Sequence, residues 1–332
     1  MIEVKHLKKD FSRPYREPGF LGGIKTLFTR KKIVTKAVDD ISFSIGEGEI
    51  VGYIGANGAG KSTTIKMMTG ILTPTSGQVL FDGKEPYSSK DRKNLLSDIG
   101  VVFGQRTQLW WDLPLRDSFD LYRDIYDIDK EEYETRLAYL DSVLGLSPIM
   151  LSQVRTLSLG QRMRADLAAS LIHNPKVLFL DEPTIGLDVL VKEKITEAIK
   201  KINKDYGTTI MLTTHDMKDI QNLAQRLIII DEGHLLYDGT LKDIKKRFGD
   251  IRHVYALSSD KLDIEQSKKD LQGKVDFQML DDGYLEASYD ADAIETKIVL
   301  NFLLAHLDIK DLKIDETTLS SIVRKIYATK SV

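Results

Sequence analysis

The chain has 332 residues, a formal net charge of −3 and no cysteine. This length suits one large and one small domain, the balanced charge gives no reason to expect a nucleic-acid partner, and the lack of cysteine excludes disulfides and thiolate metal sites. The longest apolar stretches, such as 298–307, fall short of the ~20 residues that span a bilayer, and no signal-peptide pattern is expected at the N-terminus.

A basic segment interrupts the N-terminal part of the chain. Residues 2–4 predict a short strand, and residues 13–36 then hold seven Lys or Arg against one acid. Apolar residues at i, i+1, i+4, i+7 and i+8 from Phe20 predict a short amphipathic helix. Such a helix could bind anionic lipid or a membrane partner, or its apolar face could pack on the neighbouring strands. The sequence leaves both interpretations open.

A glycine-rich loop follows. Residues 49–54 predict a buried strand, 55–62 match G-x-x-x-x-G-K-[ST], and 61–68 predict a helix that Gly70 terminates. In a strand–loop–helix of this kind, backbone N–H groups and the helix N-terminus surround phosphate oxygens. The pattern predicts a nucleotide site whose loop residues are Gly55, Asn57, Gly58, Gly60, Lys61, Ser62 and Thr63.

Two side chains of this loop have predicted chemical roles. Lys61 is expected to reach the β- and γ-phosphates, and the Ser62 hydroxyl is expected to occupy a Mg²⁺ position. The glycines at 55, 58 and 60 allow close approach of the ligand and positive φ angles.

The middle of the chain, about 88–157, is mostly helical in pattern, with helices predicted over 115–126 and 130–144. Its start carries both tryptophans of the chain, Trp110 and Trp111. Adjacent residues cannot both face one helix core, so we expect at least one to be exposed in a docking groove, where aromatic anchors are common. Ordinary packing of both side chains is the alternative.

An apolar run, 177–180, ends in Asp181 and Glu182. The run is typical of a strand buried on both faces of a parallel sheet, whose carboxyl end is where α/β sheets place ligands. We therefore expect Asp181 to hold Mg²⁺, directly or through water, and Glu182 to orient and polarise the attacking water.

Four further short segments accompany these motifs in a fixed order. They are Val101-Val102-Phe103-Gly104-Gln105, Leu157-Ser158-Leu159-Gly160-Gln161, Gly186-Leu187-Asp188 and Thr213-Thr214-His215-Asp216. The second opens a helix predicted over 161–173, and the last follows a strand predicted over 208–212. Together the motifs resemble the nucleotide-binding domain of ABC (ATP-binding cassette) transporters over roughly residues 1–245. The resemblance implies an α/β P-loop NTPase cassette: a mixed sheet with an antiparallel β-subdomain and an inserted helical subdomain.

The same resemblance implies roles for the short motifs. Gln105 would contact Mg²⁺ and the water region and transmit the nucleotide state to a membrane partner, and His215 would lie near the γ-phosphate. Ser158, Gly160 and Gln161 form the signature, and Leu159 stands where the commonest signature has glycine. Asp188 belongs to the D-loop. The adenine contact falls on Phe11, with Tyr15 as the alternative.

The resemblance also implies partners. ATP would be sandwiched between the phosphate loop of one cassette and the signature of a second, which is either another copy or a paralogue. A transmembrane permease subunit would hold the pair at the cytoplasmic face of the membrane. The segments 105–114, 157–161 and 180–188, with the basic insertion, resemble export-type (ABC-2-like) ATPases, including the group related to viologen exporters.

Other functions fit less well. A soluble ABC ATPase, such as one for iron–sulfur assembly, remains the alternative. Repair and chromosome types carry a long coiled coil between the phosphate loop and the signature, whereas the stretch from Lys61 to Leu157 shows no sustained heptads. A GTPase would need an N/T-K-x-D motif, which the sequence lacks.

The C-terminal region, about 250–332, carries no nucleotide motif. Its predicted order of elements is strand, helix, two strands, helix, strand and helix, which is compatible with a βαββαβ ferredoxin-like unit. In export-type ATPases, such an extension is expected to support pairing or regulation.

Overall fold

The computed structural model describes residues 2–15, 32–104, 106–248, 251–260, 262–280, 283–316 and 318–329. The chain divides into two compact units, Met1–Gly239 and Thr240–Val332. The strands of the first unit are β1 (Ile2–Pro14), β2 (Lys32–Ile45), β3 (Ile50–Gly55), β4 (Ser76–Phe81), β5 (Ile99–Phe103), β6 (Val177–Asp181), β7 (Thr209–Thr213), β8 (Arg226–Asp231) and β9 (His234–Thr240). Its helices are α1 (Lys61–Met68), α2 (Arg92–Leu96), α3 (Leu115–Tyr126), α4 (Lys130–Leu144), α5 (Leu159–Ala169), α6 (Val189–Tyr206) and α7 (Met217–Leu223).

The central sheet has the strand order β5-β6-β7-β3-β8-β9. The pairs from β5 to β8 are all parallel. Residues 177–180 and 227–230 are buried, as expected of strands covered on both faces. Because the strands are parallel, the carboxyl ends of β3, β6 and β7 meet at one edge of the sheet, and Ser62, Asp181 and Glu182 lie there.

A second, antiparallel sheet has the order β2-β1-β4. The main core lies between this sheet and the central sheet, and the buried side chains of α1, Ile65, Met67 and Met68, belong to it. The phosphate-loop helix is therefore anchored by apolar packing on both sides. The pairing of β1 with β2 continues to Pro14 and Lys32, whereas the pairing of β1 with β4 ends at Lys8 and Ser76.

This long ribbon leads into the basic insertion. The described ends of the insertion, residues 13–15 and 32–36, belong to the ribbon or adjoin it. The amphipathic helix expected from Phe20 lies outside the described residues, so its two interpretations stay open.

The region expected to be mostly helical, 88–157, differs in one respect from the prediction. Between α2 and α3 it contains β5, which pairs with β6 in the central sheet, so the helices that follow one another without a strand begin at Leu115. Helices α3 and α4 have the predicted bounds. Local capping residues define both ends of α4. The Asp129 carboxylate caps its N-terminus, and Gly145 follows it at φ 63°. Both tryptophans are exposed, Trp110 by 39% and Trp111 by 52%, which confirms the expected exposure.

The second unit is an α+β fold. Its elements are α8 (Leu241–Phe248), β10 (Ile251–Ser258), α9 (Ile264–Asp270), β11 (Val275–Met279), β12 (Tyr284–Asp290), α10 (Thr296–His306), β13 (Ile309–Glu316) and α11 (Leu319–Thr329). The antiparallel sheet order β11-β12-β10-β13 is that of a ferredoxin-like split βαβ unit. Helix α8 packs against α11, which places the division before residue 245. Within the described residues, no helix combines the length and hydrophobicity of a membrane-spanning segment.

Candidate nucleotide-binding and hydrolysis site

An open cleft of about 420 Å³ lies at the carboxyl edge of the central sheet. Its walls come from the N-terminal part of α1, from the end of β5 and from the end of β6. The lining residues are Ser62, Lys66, Ile71, Phe103, Gly104, Arg106, Asp181 and Glu182. The parallel sheet thus brings the glycine-rich loop and the two carboxylates together, as expected.

The loop between β3 and α1 has the backbone that phosphate binding requires. Gly58 and Gly60 adopt φ angles of 84° and 105°, in the left-handed region that favours glycine. Residues 56–58 are exposed. Among the described residues, no atom lies within 4 Å of a Cβ built on Gly58. The first N–H groups of α1 have no partners inside the helix and carry its positive dipole end, so the loop suits an anion.

Lys61 is held beneath this loop. The side chain is 7% exposed, and Nζ donates to the carbonyl oxygens of Gly55 at 2.7 Å and Ala56 at 3.1 Å. Burial lowers the pKa of Lys61, while the carboxylates of Glu182 and Asp181 act in the opposite direction. A phosphate oxygen would be a stronger acceptor than these carbonyls, so the ammonium is placed to turn towards a ligand.

Asp181 joins three motifs. Its Oδ2 accepts a hydrogen bond from the Ser62 hydroxyl at 3.1 Å, and its Oδ1 accepts one from the Thr213 hydroxyl at 2.6 Å. Mg²⁺ takes few protein ligands, usually carboxylate and hydroxyl oxygens, and fills its other positions with phosphate oxygens and water. The Ser62 and Asp181 oxygens fit this requirement. Thr213 was not singled out by the sequence, although it lies in the Thr213-Thr214-His215-Asp216 segment.

Glu182 sits at a sharp turn directly after β6. Its φ angle of 55° is rare for a non-glycine residue, and strain of this kind persists only where neighbouring groups hold it. Its N–H donates to the carbonyl oxygen and hydroxyl of Thr213, at 3.0 and 3.1 Å. The carboxylate Oε1 lies 2.7 Å from His215 Nε2. The structure therefore brings the predicted base and His215, the histidine expected near the γ-phosphate, into hydrogen-bond contact.

A buried carboxylate supports this pair from behind. Asp219 is 5% exposed, and its Oδ2 accepts hydrogen bonds from the hydroxyls of Thr184 at 2.5 Å and Thr214 at 3.4 Å. Thr184 follows Glu182 by two residues, and Thr214 precedes His215. Asp219 thus connects the turn that carries Glu182 to the loop that carries His215 by hydrogen bonds. Sequence reasoning missed it because one Asp in a helix gives no signal of tertiary contact.

The signature forms the N-terminus of α5. Ser158 caps the helix: its Oγ accepts from the Gln161 N–H at 3.3 Å, and Gln161 Oε1 accepts from the Ser158 N–H at 2.8 Å. The helix therefore begins at Leu159, ahead of the predicted residue 161. A Cβ on Gly160 would meet Val191 Cγ1 at 2.8 Å, so this position has no room for a side chain. Although 158–161 are all described, none of them lines the cleft.

The D-loop residue Asp188 caps α6, accepting from the Val191 N–H at 3.0 Å. One turn along this helix, Lys192 Nζ lies 3.0 Å from Asp216 Oδ2, and this contact lowers the pKa of Asp216. The D-loop helix is therefore connected to the residue that follows His215. The two residues after Asp188 are 70% exposed, although both are apolar: Val189 and Leu190.

Three expected site residues remain to be placed. Gln105 lies outside the described residues, but its neighbours Gly104 and Arg106 line the cleft. Phe11 and Tyr15 are 44% and 43% exposed, and neither lines the cleft as described. Phe11 pairs with Thr35 on β2, and the same strand reaches Gly60, where a Cβ would collide with the Ala37 carbonyl oxygen.

The fold and this cleft define a P-loop nucleotide hydrolase. The sequence family described as ABC transporter matches residues 38–185. The ABC transporter ATP-binding protein NatA of Bacillus subtilis (strain 168) is 32% identical over 234 residues, which cover 69% of this chain and 92% of NatA. The methionine import ATP-binding protein MetN of Halalkalibacterium halodurans is 34% identical over 229 residues, 68% of each chain. The chain thus belongs to the ATP-binding proteins of ABC transporters.

A solved structure gives the same result at the level of the fold. The dimeric, post-hydrolysis structure of the cassette MJ0796, bound to ADP and Pi, has a TM-score of 0.61 and 25% identity, and the match covers 73% of this chain and 99% of that one. As a cassette ATPase of this family, the chain binds ATP with Mg²⁺ and hydrolyses it. The P-loop cassette fold expected from the sequence is confirmed.

Proposed function

We propose that this chain is the ATP-hydrolysing subunit of a membrane transporter of the export type, peripheral at the cytoplasmic face of the membrane. The observation that carries the proposal is the arrangement of the ATP motifs. Lys61, Asp181 and Glu182 converge on one cleft, while the signature, opened by Ser158, lies outside it. A second cassette is needed to bring a signature to the bound ATP.

We assign the site residues as follows. The loop 55–63 and Lys61 hold the phosphates, and Ser62, Asp181 and Gln105 hold Mg²⁺, which neutralises phosphate charge when bound. Glu182 accepts a proton from the attacking water through Oε2, since Oε1 is engaged by His215. His215 keeps the carboxylate oriented and lies next to the position of the γ-phosphate. Phe11 is our choice for the adenine contact.

The second cassette is another copy or a paralogue. In this pairing, Ser158, Gly160 and Gln161 of one chain contact the ATP on the phosphate loop of the other, with Asp188 at the junction. Exposed apolar side chains near these motifs suit a covered surface: Leu159, Ile185, Val189 and Leu190. Hydrolysis removes a phosphate charge shared across the junction, so the pair reopens and the cycle can drive a separate subunit.

That separate subunit is a transmembrane permease, and we place its docking site at the two tryptophans. Trp110 and Trp111 are exposed on a loop that begins at the cleft residue Arg106. Tryptophan is enriched among the residues that contribute most to binding at protein interfaces. The loop can therefore report the state of the cleft to a bound partner.

Export is the direction that the finer resemblance favours. It rests on the insertion 13–36, on the stretch 105–114, on the Leu159 form of the signature and on the α+β unit after the cassette. We assign the cassette to residues 1–239 and a C-terminal domain that supports pairing or regulation to 240–332.

The test is an affinity purification of this chain from detergent-solubilised native membranes, with Lys61→Ala as a matched bait that keeps the surfaces and loses the phosphate contact. A multispanning protein in stoichiometric yield with both baits supports the proposal. Recovery of soluble partners alone, with the chain absent from the membrane fraction, would refute it in favour of a soluble ABC ATPase.

A further inference from the structure

A buried carboxylate in the signature helix holds the loop that carries both tryptophans. We call residues 106–113 the tryptophan loop. Asp166 lies in the middle of α5 and is 4% exposed. Its Oδ1 accepts hydrogen bonds from the Thr107 hydroxyl at 2.8 Å and from the Gln108 N–H at 3.0 Å. The start of the tryptophan loop is therefore attached directly to the signature helix.

The rest of the tryptophan loop is attached on both sides of the signature. Before the signature, the Arg155 N–H donates to the Trp111 carbonyl at 3.0 Å, and the Val154 N–H donates to the Leu113 carbonyl at 3.1 Å. After it, the Arg162 guanidinium lies over the Trp111 ring at 5.6 Å. Among these contacts, Asp166 supplies the buried charge.

Burying an ionised carboxylate at this position is energetically unfavourable. Burial raises the pKa of Asp166 to about 6, so at neutral pH the protein keeps an anion in its interior. An asparagine would offer an acceptor oxygen of the same shape without that cost. Hydrogen bonds to an ionised acceptor are shorter and about twice as strong as neutral ones, so the charge gives a stiffer joint. This favours a mechanical role over simple packing.

We propose that Asp166 is a positioning residue that makes the tryptophan loop and the signature helix one rigid lever. A displacement of the loop is then carried to Ser158, two helical turns or about 12 Å from Asp166. The proposal rests on the proposed function, in which Ser158 closes on the ATP of a second cassette. It adds how that closure is mechanically linked to the exposed tryptophans.

The chain offers a built-in probe, because its two tryptophans both lie in this loop. Fluorescence excited selectively at tryptophan, away from the absorption of the 13 tyrosines, therefore reports the loop. The parent for the experiment is Glu182→Gln, which holds ATP in the paired state. In this parent, ATP-Mg is expected to shift the tryptophan emission as the pair closes. Amide hydrogen exchange over 106–113 is measured on the same samples.

A second mutation, added to the Glu182→Gln parent, tests whether the contacts of Asp166 couple the loop to the helix. Asp166→Ala and Thr107→Val each remove one side of the joint, and Thr107→Val changes the buried volume little. Asp166→Asn restores an acceptor. Asp112→Ala is the control: its side chain is 82% exposed, and the change removes an ion pair with Arg155 at 3.2 Å while leaving the contacts of Asp166 intact.

In the Ala and Val variants we expect ATP-driven pairing to persist and the emission shift to be lost. Exchange over 106–113 should rise about tenfold, the factor for losing one hydrogen bond to a charged group. The control should behave as the parent does, and the Asn variant, whose neutral acceptor makes weaker hydrogen bonds, should fall between the parent and Asp166→Ala. Emission and exchange equal to the parent in both Asp166→Ala and Thr107→Val would overturn the lever. If the parent itself fails to pair on ATP-Mg, the proposed function fails, and exchange alone then decides on the joint.

Discussion

Replacing Glu182 by Gln changes the proposed base and little else. The amide keeps an acceptor oxygen at Oε1 for His215, whose Nε2 lies 2.7 Å away. The backbone N–H of residue 182 keeps its bonds to Thr213. The turn after β6 should therefore be unchanged, and only the capacity to accept a proton through the second oxygen is lost.

The expected magnitude follows from that single loss. A general base contributes about 10²–10⁴ to a rate. At about 1.4 kcal/mol per tenfold change, this corresponds to about 3–6 kcal/mol of transition-state stabilisation. ATP affinity should stay near the wild-type value, since the loop 55–63 and Lys61 are intact. A variant that binds and cannot hydrolyse should accumulate as a pair.

The assay is phosphate release at saturating ATP-Mg, with the mass of the complex measured by light scattering. Glu265→Gln makes the same chemical change at an exposed site in the second unit and serves as the control. Turnover of Glu182→Gln within threefold of wild type would refute the role assigned to Glu182. Loss of turnover without a longer-lived pair would refute the link between hydrolysis and reopening.

Three further predictions test other parts of the site. Asp219→Ala should lower kcat more than it raises KM for ATP, because it removes the hydrogen bonds that hold the turn of Glu182 and leaves the phosphate loop intact. Asp219→Asn should restore part of kcat. An equal effect of Asp219→Ala on kcat and KM in steady-state kinetics would contradict this prediction. Lys61→Ala should weaken equilibrium binding of a fluorescent ATP analogue, whereas Ser158→Arg should block pairing and leave binding intact; equal losses of affinity would contradict the assignment. Asp166→Asn should alter the pH dependence of stability, since the folded pKa of Asp166, about 6, lies above its ordinary value of 3.8. The contribution of Asp166 therefore favours folding below about pH 4 and is lost as pH rises through 6. Between pH 4 and 8, the free energy of unfolding of wild type, measured with urea, should fall by about 3 kcal/mol relative to that of the variant. A difference in unfolding free energy that does not change with pH would show that the carboxylate is not buried as described.

Elements with local signals could be predicted from the sequence. Helix α4 has its capping Asp129 and its terminating Gly145, and α1 has a glycine-rich entry and Gly70 at φ 69° after its end. The cleft could be predicted too, because parallel strands place their carboxyl ends at one edge. Lys61, Asp181 and Glu182 follow or end such strands.

Contacts between distant segments could not be predicted in this way. Asp219 and Asp166 are each one acid in a helix, and their partners Thr184 and Thr107 are separated from them by 35 and 59 residues. Nor does the hydrophobic pattern of 88–157 reveal that β5 joins the central sheet. These features depend on tertiary packing, which a periodicity of 2 or 3.6 residues does not encode.

The composite site is tested most directly by mixing two inactive variants. Lys61→Ala lacks a working phosphate loop, and Ser158→Ala removes the signature hydroxyl without the bulk that would block pairing, so neither should hydrolyse ATP alone. In an equimolar mixture, about half of the pairs are mixed, and each mixed pair holds one intact site of two, which gives about a quarter of the wild-type rate. Recovery towards that value is the result we predict. A mixture that stays at the sum of the two separate rates would contradict an ATP site shared between two chains.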